Sequence, residues 1–273
     1  MRLPGSVWSQ SGLSSKKLLM RNDVKTNISN ALDEFGVAIL PPMDAFSSMR
    51  LLSNIGFLPG DIACTILDPW YNKGVGGVLP ENEYDAFIKE LLNLPAEYSD
   101  TIYLWGFPEI IGPYVRYAPN GFNMVSWLMW YYKNCPSVIR GWRSSQNACI
   151  QFMRNGVKQH PENFLEGEQL KKYQSGKMRF VHGPSSVIEE PLIIGFVGKK
   201  ERTGHPAQKP EKVFQKLILM SSMPGDIVFD PMAGSGTTGA AAMHLERKAI
   251  LCDMNEEYIQ LMEQRLGVHR IQL

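Results

Sequence analysis

The segment FDPMAGSGTTGAAA, residues 229–242, ends an apolar run in Asp230, passes through a turn holding Gly234 and Gly236, and continues into small residues from Thr237. Such a turn lets backbone N–H groups and a helix N-terminus approach a bound cofactor closely. It lacks the GK[ST] element of a phosphate loop, and it matches GxGxxG only from mid-turn, through Gly234, Gly236 and Gly239. About twenty residues on, the apolar run KAILCD ends in Asp253, where a carboxylate can hold two ribose hydroxyls. Together these features indicate a nucleoside cofactor. An Asp at a strand-to-helix turn also serves as a helix cap, so both uses of Asp253 stay open.

A second motif, LDPWYN at 67–72, again closes an apolar run and precedes the flexible KGVGG. Asp68 and the Pro69 carbonyl are two hydrogen-bond acceptors beside a flat wall of Trp70 and Tyr71. That combination suits a planar base with an exocyclic amine, whose two hydrogens the acceptors take while a ring stacks on the base. By itself DPxY is also a turn signature.

The elements that must position these residues read as an alternation of β-rich runs and helical stretches, the pattern of an α/β sheet. Strands are expected at 36–40, 61–67, 101–107, 125–132, 148–153, 191–197, 226–230 and 248–253. Helices are expected at 82–93, 211–222, 237–246 and 256–266, where apolar residues recur at three and four; Tyr258, Leu261, Met262 and Leu266 make one face of the last. Residues 1–28 are polar and basic without sustained periodicity and read as a flexible arm. The segment 155–190 lacks strong periodicity and reads as an insertion between two well-patterned halves.

The chain has 273 residues and a net charge of +1, but residues 133–182 carry nine basic groups against three acidic ones. That segment is net +6 and the remainder net −5. A polyanionic partner for it is expected, with a solvated loop as the plainer alternative. Charged residues at 20% and hydrophobic residues at 44% exclude collagen-like, coiled-coil and wholly disordered chains. The longest central charge-free stretch, Tyr117 to Tyr132, is too short for a membrane span and is broken by Pro119 and Gly121. Cys64, Cys135, Cys149 and Cys252 are scattered with no CxxC pair, which favours a reducing intracellular compartment and no metal site.

With both motifs in hand the chain resembles the DNA amino-methyltransferases that modify N6 of adenine or N4 of cytosine with S-adenosylmethionine, in their permuted β class. There the catalytic [DNS]PP[YFW] comes first, a target-recognition region follows, and the cofactor glycine motif lies late. Here DPWY at 68–71 is followed by the basic insertion, GHPAQKP at 204–210 and DPMAGSGTT at 230–238. The resemblance spans roughly residues 36–266, the insertion excepted. It implies a Rossmann-like class I methyltransferase sheet, mostly parallel with one antiparallel strand, carrying an inserted target-recognition region. The resemblance sets the divisions as a catalytic half at 29–139, an insertion at 140–190 and a cofactor-binding half at 191–273.

The resemblance assigns catalysis to Asp68, Pro69, Trp70 and Tyr71. Cofactor contacts fall on His205, Pro206, Ala207, Gln208 and Lys209, on Asp230, Pro231, Met232, Gly234, Ser235, Gly236, Thr237 and Thr238, and on Asp253 and Met254. A strand ending in GDA normally precedes the catalytic motif and touches the cofactor adenine; AILPPMDAF aligns Asp44 and Ala45 there, Asp44 being equally suited to cap a helix. Two departures are Trp70 for the usual Pro and Met232 for the usual Phe. Arg140, Arg143, Lys171, Lys172 and Lys177 are expected on DNA, with Gln146 and Asn147 among candidate readers of base edges.

The activity so implied is site-specific methylation of a flipped-out adenine at N6, with N4 of cytosine as the alternative because cytosine enzymes more often carry Ser in place of Asp68. An inactive DNA-binding partner of a methyltransferase would lack Asp68 or the glycine turn, and both stand. A nucleotide-linked dehydrogenase would place its glycine motif near the N-terminus and leave HPAQKP without a use. DNA is the expected partner, a homodimer or a companion methyltransferase or restriction subunit is compatible with the class, and the location is cytoplasmic, on the nucleoid if the chain is bacterial.

Overall fold

The computed structural model describes residues 11–73, 77–135 and 141–273. In chain order the elements are α1 (Ser11–Phe35), β1 (Val37–Ile39), α2 (Ala45–Asn54), β2 (Ile62–Leu67), α3 (Glu81–Asn93), β3 (Ser99–Gly106), α4 (Pro108–Ile111), β4 (Phe122–Tyr131), β5 (Gln146–Arg154), α5 (Gly167–Gln174), β6 (Val187–Glu189), α6 (Glu211–Ser221), β7 (Ile227–Asp230), α7 (Thr237–His244), β8 (Lys248–Leu251) and α8 (Glu256–Leu266). The strands form one sheet in the order β1-β8-β7-β2-β3-β5-β4-β6. The first five in that order run parallel, and β5 alone among the described strands is reversed. The sheet is therefore the mostly parallel, one-antiparallel arrangement expected.

Period-two alternation divides the core between two faces. Along β3, Ile102 and Leu104 join the apolar layer under α1, α2 and α3, while Tyr103 and Trp105 join the layer under α6, α7 and α8. Helices on both faces explain why β2 is buried at every position and reads as a continuous apolar run. No helix among the described residues is long and apolar enough to cross a membrane.

Three expectations change. In place of a flexible arm over 1–28, α1 is helical from Ser11, residues 1–10 lying outside the described set. Its last turns bury Ile28, Ala31 and Leu32, and Lys25 Nζ donates to the Gly56 carbonyl at 2.9 Å, so tertiary contact supports a helix that the sequence period does not announce. Residues 191–197 form turns instead of a strand: Pro191 has no N–H to give a ladder, Gly195 sits at φ +59°, and Phe196 is 94% exposed. The sheet edge is taken by β6, which pairs with Met129–Tyr131. Finally, a boundary at 140 cuts through the sheet, because β5 pairs with both β3 and β4 and is buried from Asn147 to Met153. The excursion from the sheet begins after Arg154, whose guanidinium donates to the Ala96 carbonyl at 2.7 Å and the Ser99 carbonyl at 2.9 Å.

Candidate active site

Strand β2 pairs with β7 through Cys64↔Val228 and Thr65↔Phe229, which brings Asp68 and Asp230, remote in sequence, to the same edge of the sheet. The order reverses here: β2 continues to β3 on one side and to β7 and β8 on the other. Ligands of open α/β sheets lie in such a crevice, beyond the carboxyl ends of the strands.

Both oxygens of Asp68 are engaged. The Tyr71 hydroxyl donates to Oδ1 at 2.8 Å, and the Lys209 ammonium donates to Oδ2. Lys209 Nζ also reaches the Tyr71 hydroxyl at 3.2 Å. Burial alone would push the Lys209 ammonium down, but the Asp68 carboxylate and Tyr71 outweigh it and hold the group above its ordinary value. Burial, with the charge of Asp68, pushes the Tyr71 phenol up, so it stays a neutral donor.

The loop bearing these groups is braced by aromatic packing. Trp70 meets Tyr84 edge-on at 5.3 Å and Phe87 at 4.9 Å, both on α3, and its indole N–H donates to the Gly77 carbonyl at 3.3 Å. The Tyr84 hydroxyl returns a hydrogen bond to the Trp70 carbonyl at 2.9 Å. Trp70 thus supports the loop where the family pattern has proline. Tyr71 lies edge-on to Phe107, just beyond β3, at 5.0 Å.

The glycine turn is held from below. Asp230 accepts from Met232 N at 3.0 Å and from the Thr238 hydroxyl, and burial pushes its carboxyl up to about 7 despite those bonds. Gly236 caps α7 in the left-handed region at φ +74°, and a Cβ there would meet Met262 Cγ at 2.9 Å. Arg265, from α8, donates to the Ser235 carbonyl at 3.1 Å and to the Thr237 hydroxyl at 3.0 Å. A Cβ on Gly234 would lie 3.0 Å from His205 Nε2, so the turn and the HPAQKP loop approach closely only because that position is bare.

Between the two motifs lies a cleft of about 730 Å³, mostly apolar, lined by Asp68, Trp70, Tyr71, His205, Met232 and Asp253 among others. That is the size and character of a site for a nucleoside-sized molecule. Asp253 accepts from Gly234 N and Asn255 N, each at 2.9 Å, one on each oxygen. Asn255, not Asp253, caps α8, by accepting from Glu257 N at 2.8 Å. Asp44 caps α2 through Ser47 N at 2.9 Å, and hydrogen bonds from Ser47 hold its carboxyl below the ordinary value; it also lines the cleft with Ala45.

A family model described as DNA methylase, of N6 and N4 methyltransferases, matches residues 62–264. The chain belongs to this N6/N4 DNA methylase family. It is 32% identical over 235 residues to the Type II methyltransferase M.HpaI of Haemophilus parainfluenzae, an alignment covering 81% of this chain and 72% of that one. Over a shorter stretch, 31% of this chain and 28% of the relative, it is 53% identical to the DNA adenine methyltransferase YhdJ of Escherichia coli. The fold is shared with the M1.HpyAVI–SAM complex, at TM-score 0.63 and 22% identity over 85% of this chain and 100% of the other. It is shared too with the cytosine-N4-specific PvuII DNA methyltransferase, at TM-score 0.62 and 16% identity over 84% and 88%.

The methylase cofactor is S-adenosylmethionine, and the residues present suit it. Each Asp253 oxygen has accepted one N–H and retains capacity for a ribose hydroxyl. His205 and Tyr258 meet edge-on at 4.4 Å on one wall of the cleft, and burial lowers the imidazole below its ordinary value, which favours its neutral form. Met232, at the usual phenylalanine position, lines the cleft with Pro231 and Met254.

Other expected residues of the methylase fall in different places. Gln208 accepts from Thr203 N at 2.9 Å and donates to the Glu201 carbonyl at 2.8 Å, so it shapes its own loop; Pro206 is exposed. Asn147 is buried on β5 with no partner for its Oδ1 among the described residues, which removes it from the base-edge readers. Arg140 lies outside the described residues, while Arg143, Lys171, Lys172 and Lys177 are exposed. Sequence reasoning missed Arg265, Phe107 and Phe87. Arg265 stands one position before Leu266 on the apolar face of α8, and that placement was its available signal.

Proposed function

We propose that the chain methylates N6 of a flipped-out adenine at specific DNA sites. The observation that carries this reading is a carboxylate, Asp68, at the head of the catalytic motif, held by Tyr71 and Lys209 at the mouth of the cofactor cleft. S-adenosylmethionine supplies, when bound, a methyl group made electrophilic by its sulfonium. The amine of adenine is a poor nucleophile because its lone pair is conjugated with the ring. Asp68 and the Pro69 carbonyl accept its two hydrogens and localise that pair; as the new N–C bond forms the S–CH3 bond would break, its electron pair staying on sulfur as a neutral thioether, and the proton shed by the amine passes to Asp68. The base stacks on Tyr71 after leaving the duplex.

Topology supports a DNA-facing role for Arg143. Both β3 and β4 run antiparallel to β5, so the β4–β5 connection leaves the sheet on the edge that carries Asp68. That connection presents Arg143 and Trp142, the latter 99% exposed. The excursion after β5 starts on the opposite edge, where His160 N donates to the Met220 carbonyl at 2.9 Å near the end of α6. Lys171, Lys172 and Lys177 follow in that excursion and are proposed as phosphate contacts.

The test is incubation with labelled S-adenosylmethionine and mixed-sequence DNA, followed by nucleoside analysis. Labelled N6-methyladenine in one sequence context is the expected product. N4-methylcytosine would transfer the assignment to the other amine, and no labelled base would end it.

A further inference from the structure

The motif HPAQKP places Lys209 with the cofactor residues, but its side chain lies elsewhere. We infer that Lys209 is a positioning residue for catalysis, which locks the Asp68 carboxylate at a set spacing from the glycine turn. The inference rests on the reading of Asp68 given above. Lys209 is 6% exposed and its ammonium meets Asp68 Oδ2 and the Tyr71 hydroxyl, with the ring centres of Tyr71 and Trp105 at 5.8 and 5.9 Å. It is absent from the lining of the large cleft and borders a recess of about 40 Å³ between Asp68 and the turn. At the other end of the residue, its carbonyl accepts from the hydroxyl of Thr237, the first residue of α7, at 3.4 Å.

One residue therefore spans the two motifs, its main chain on the cofactor turn and its side chain on the acceptor of the target amine. Pro210 follows at once and restricts the Lys209 backbone to extended conformations, which fixes the main-chain end of the span, while burial and the contacts to Asp68 and Tyr71 hold the side-chain end. Each Asp68 oxygen keeps a second acceptor position for the incoming amine, and donors on both oxygens leave the carboxylate no freedom to rotate. Because methyl transfer depends on alignment to within about an ångström, a loosened carboxylate costs turnover before it costs binding.

The experiment compares the full chain with Lys209→Gln, Lys209→Arg, Asp68→Asn and the Asp68→Asn/Lys209→Gln double variant. Calorimetry gives S-adenosylmethionine affinity, steady-state assays on a methylatable duplex give kcat and KM, and melting curves check folding. Lys209→Gln is expected to lower kcat by roughly 10- to 100-fold while cofactor Kd and the KM for DNA stay within about threefold. Lys209→Arg, which keeps the charge, recovers part of that loss, and carries the test if the neutral variant does not fold. In the Asp68→Asn background, Lys209→Gln adds less than about threefold, since its effect runs through the carboxylate. Weakened cofactor affinity with kcat intact would make Lys209 a cofactor ligand and overturn the proposal, as would fully additive losses in the double variant. A wild-type chain that transfers no methyl group overturns the reading of Asp68 and this proposal with it.

Discussion

Asp68 and Asp230 sit at the ends of neighbouring strands and are held by different means. Asp68 meets a hydroxyl and an ammonium at the cleft, whereas Asp230 is 3% exposed and bonded to Met232 N and the Thr238 hydroxyl. Replacing Asp68 with Ala is expected to reduce kcat by about 10²-fold or more with cofactor affinity little changed, because its contribution arises at the target amine. Turnover near wild type would remove it from catalysis. For Asp230 the consequence is pH-dependent stability. With the folded carboxyl pushed up to about 7 by burial and the unfolded one near the ordinary value of 3.8, the folded chain binds more protons between those values. Its stabilising contribution is therefore present at low pH and lost as pH rises through about 7. Asp230→Asn removes the titration while its carbonyl oxygen still accepts from Met232 N and its amide N–H donates to the Thr238 hydroxyl, so its melting temperature should fall less than that of wild type from pH 5 to 8. Parallel profiles for the two proteins would contradict a raised carboxyl.

At the scale of elements, α7 is seated on the sheet through a bare position. A Cβ on Gly239 would approach Leu251 Cδ1 of β8 to 2.6 Å and Leu266 Cδ1 of α8 to 2.9 Å. Gly239→Val should thus overpack the contact between α7, β8 and α8, destabilise the fold by about 1–3 kcal/mol and weaken cofactor binding by tilting the glycine turn. Denaturant unfolding with calorimetry checks both effects; an unchanged midpoint would mean that the helix shifts freely. This third glycine was legible in the string Gly234, Gly236, Gly239, since helix–sheet approach is what that position serves. By contrast α1 was not announced by apolar period, α2 carried the signal in Met49 and Leu52 at helical spacing behind the Asp44 cap but was missed, and the run at 191–197 misled because apolar residues there face solvent, Phe196 above all.

Over the whole molecule, charge is uneven where DNA is proposed to lie. Exposed Lys171, Lys172 and Lys177 follow a stretch anchored near the end of α6, and Lys171 already pairs with Glu168 at 2.7 Å. Converting all three to Gln should lower the slope of log affinity against log salt by up to about 2–3, near 0.9 for each phosphate no longer neutralised, with cofactor affinity intact. An unchanged slope would mark them as a solvated face and leave DNA to Arg143 and its neighbours on the catalytic edge. The +6 balance of residues 133–182 also overstates the charge available to DNA, because the part-buried Arg154 guanidinium is turned to the carbonyls of Ala96 and Ser99 and lies 3.6 Å from Asp100.

By itself the sequence determined the sheet class, most of its strands and both motifs, because burial on two faces writes long apolar runs and because turns at strand ends need particular residues. Asp68, Asp253 and the glycine string were legible in that way, from residue type and spacing alone. Tertiary structure decided what each polar group touches. Lys209 stands beside Pro210 in a cofactor motif, yet its ammonium lies on Asp68, since the pairing of β2 with β7 closes a distance that no local pattern encodes. It likewise decided that β5 belongs to the sheet and that Arg265 ties the glycine turn. Local propensity reports how a segment can bury its own side chains, whereas partners across the sheet depend on strand order, which the chain settles only on folding.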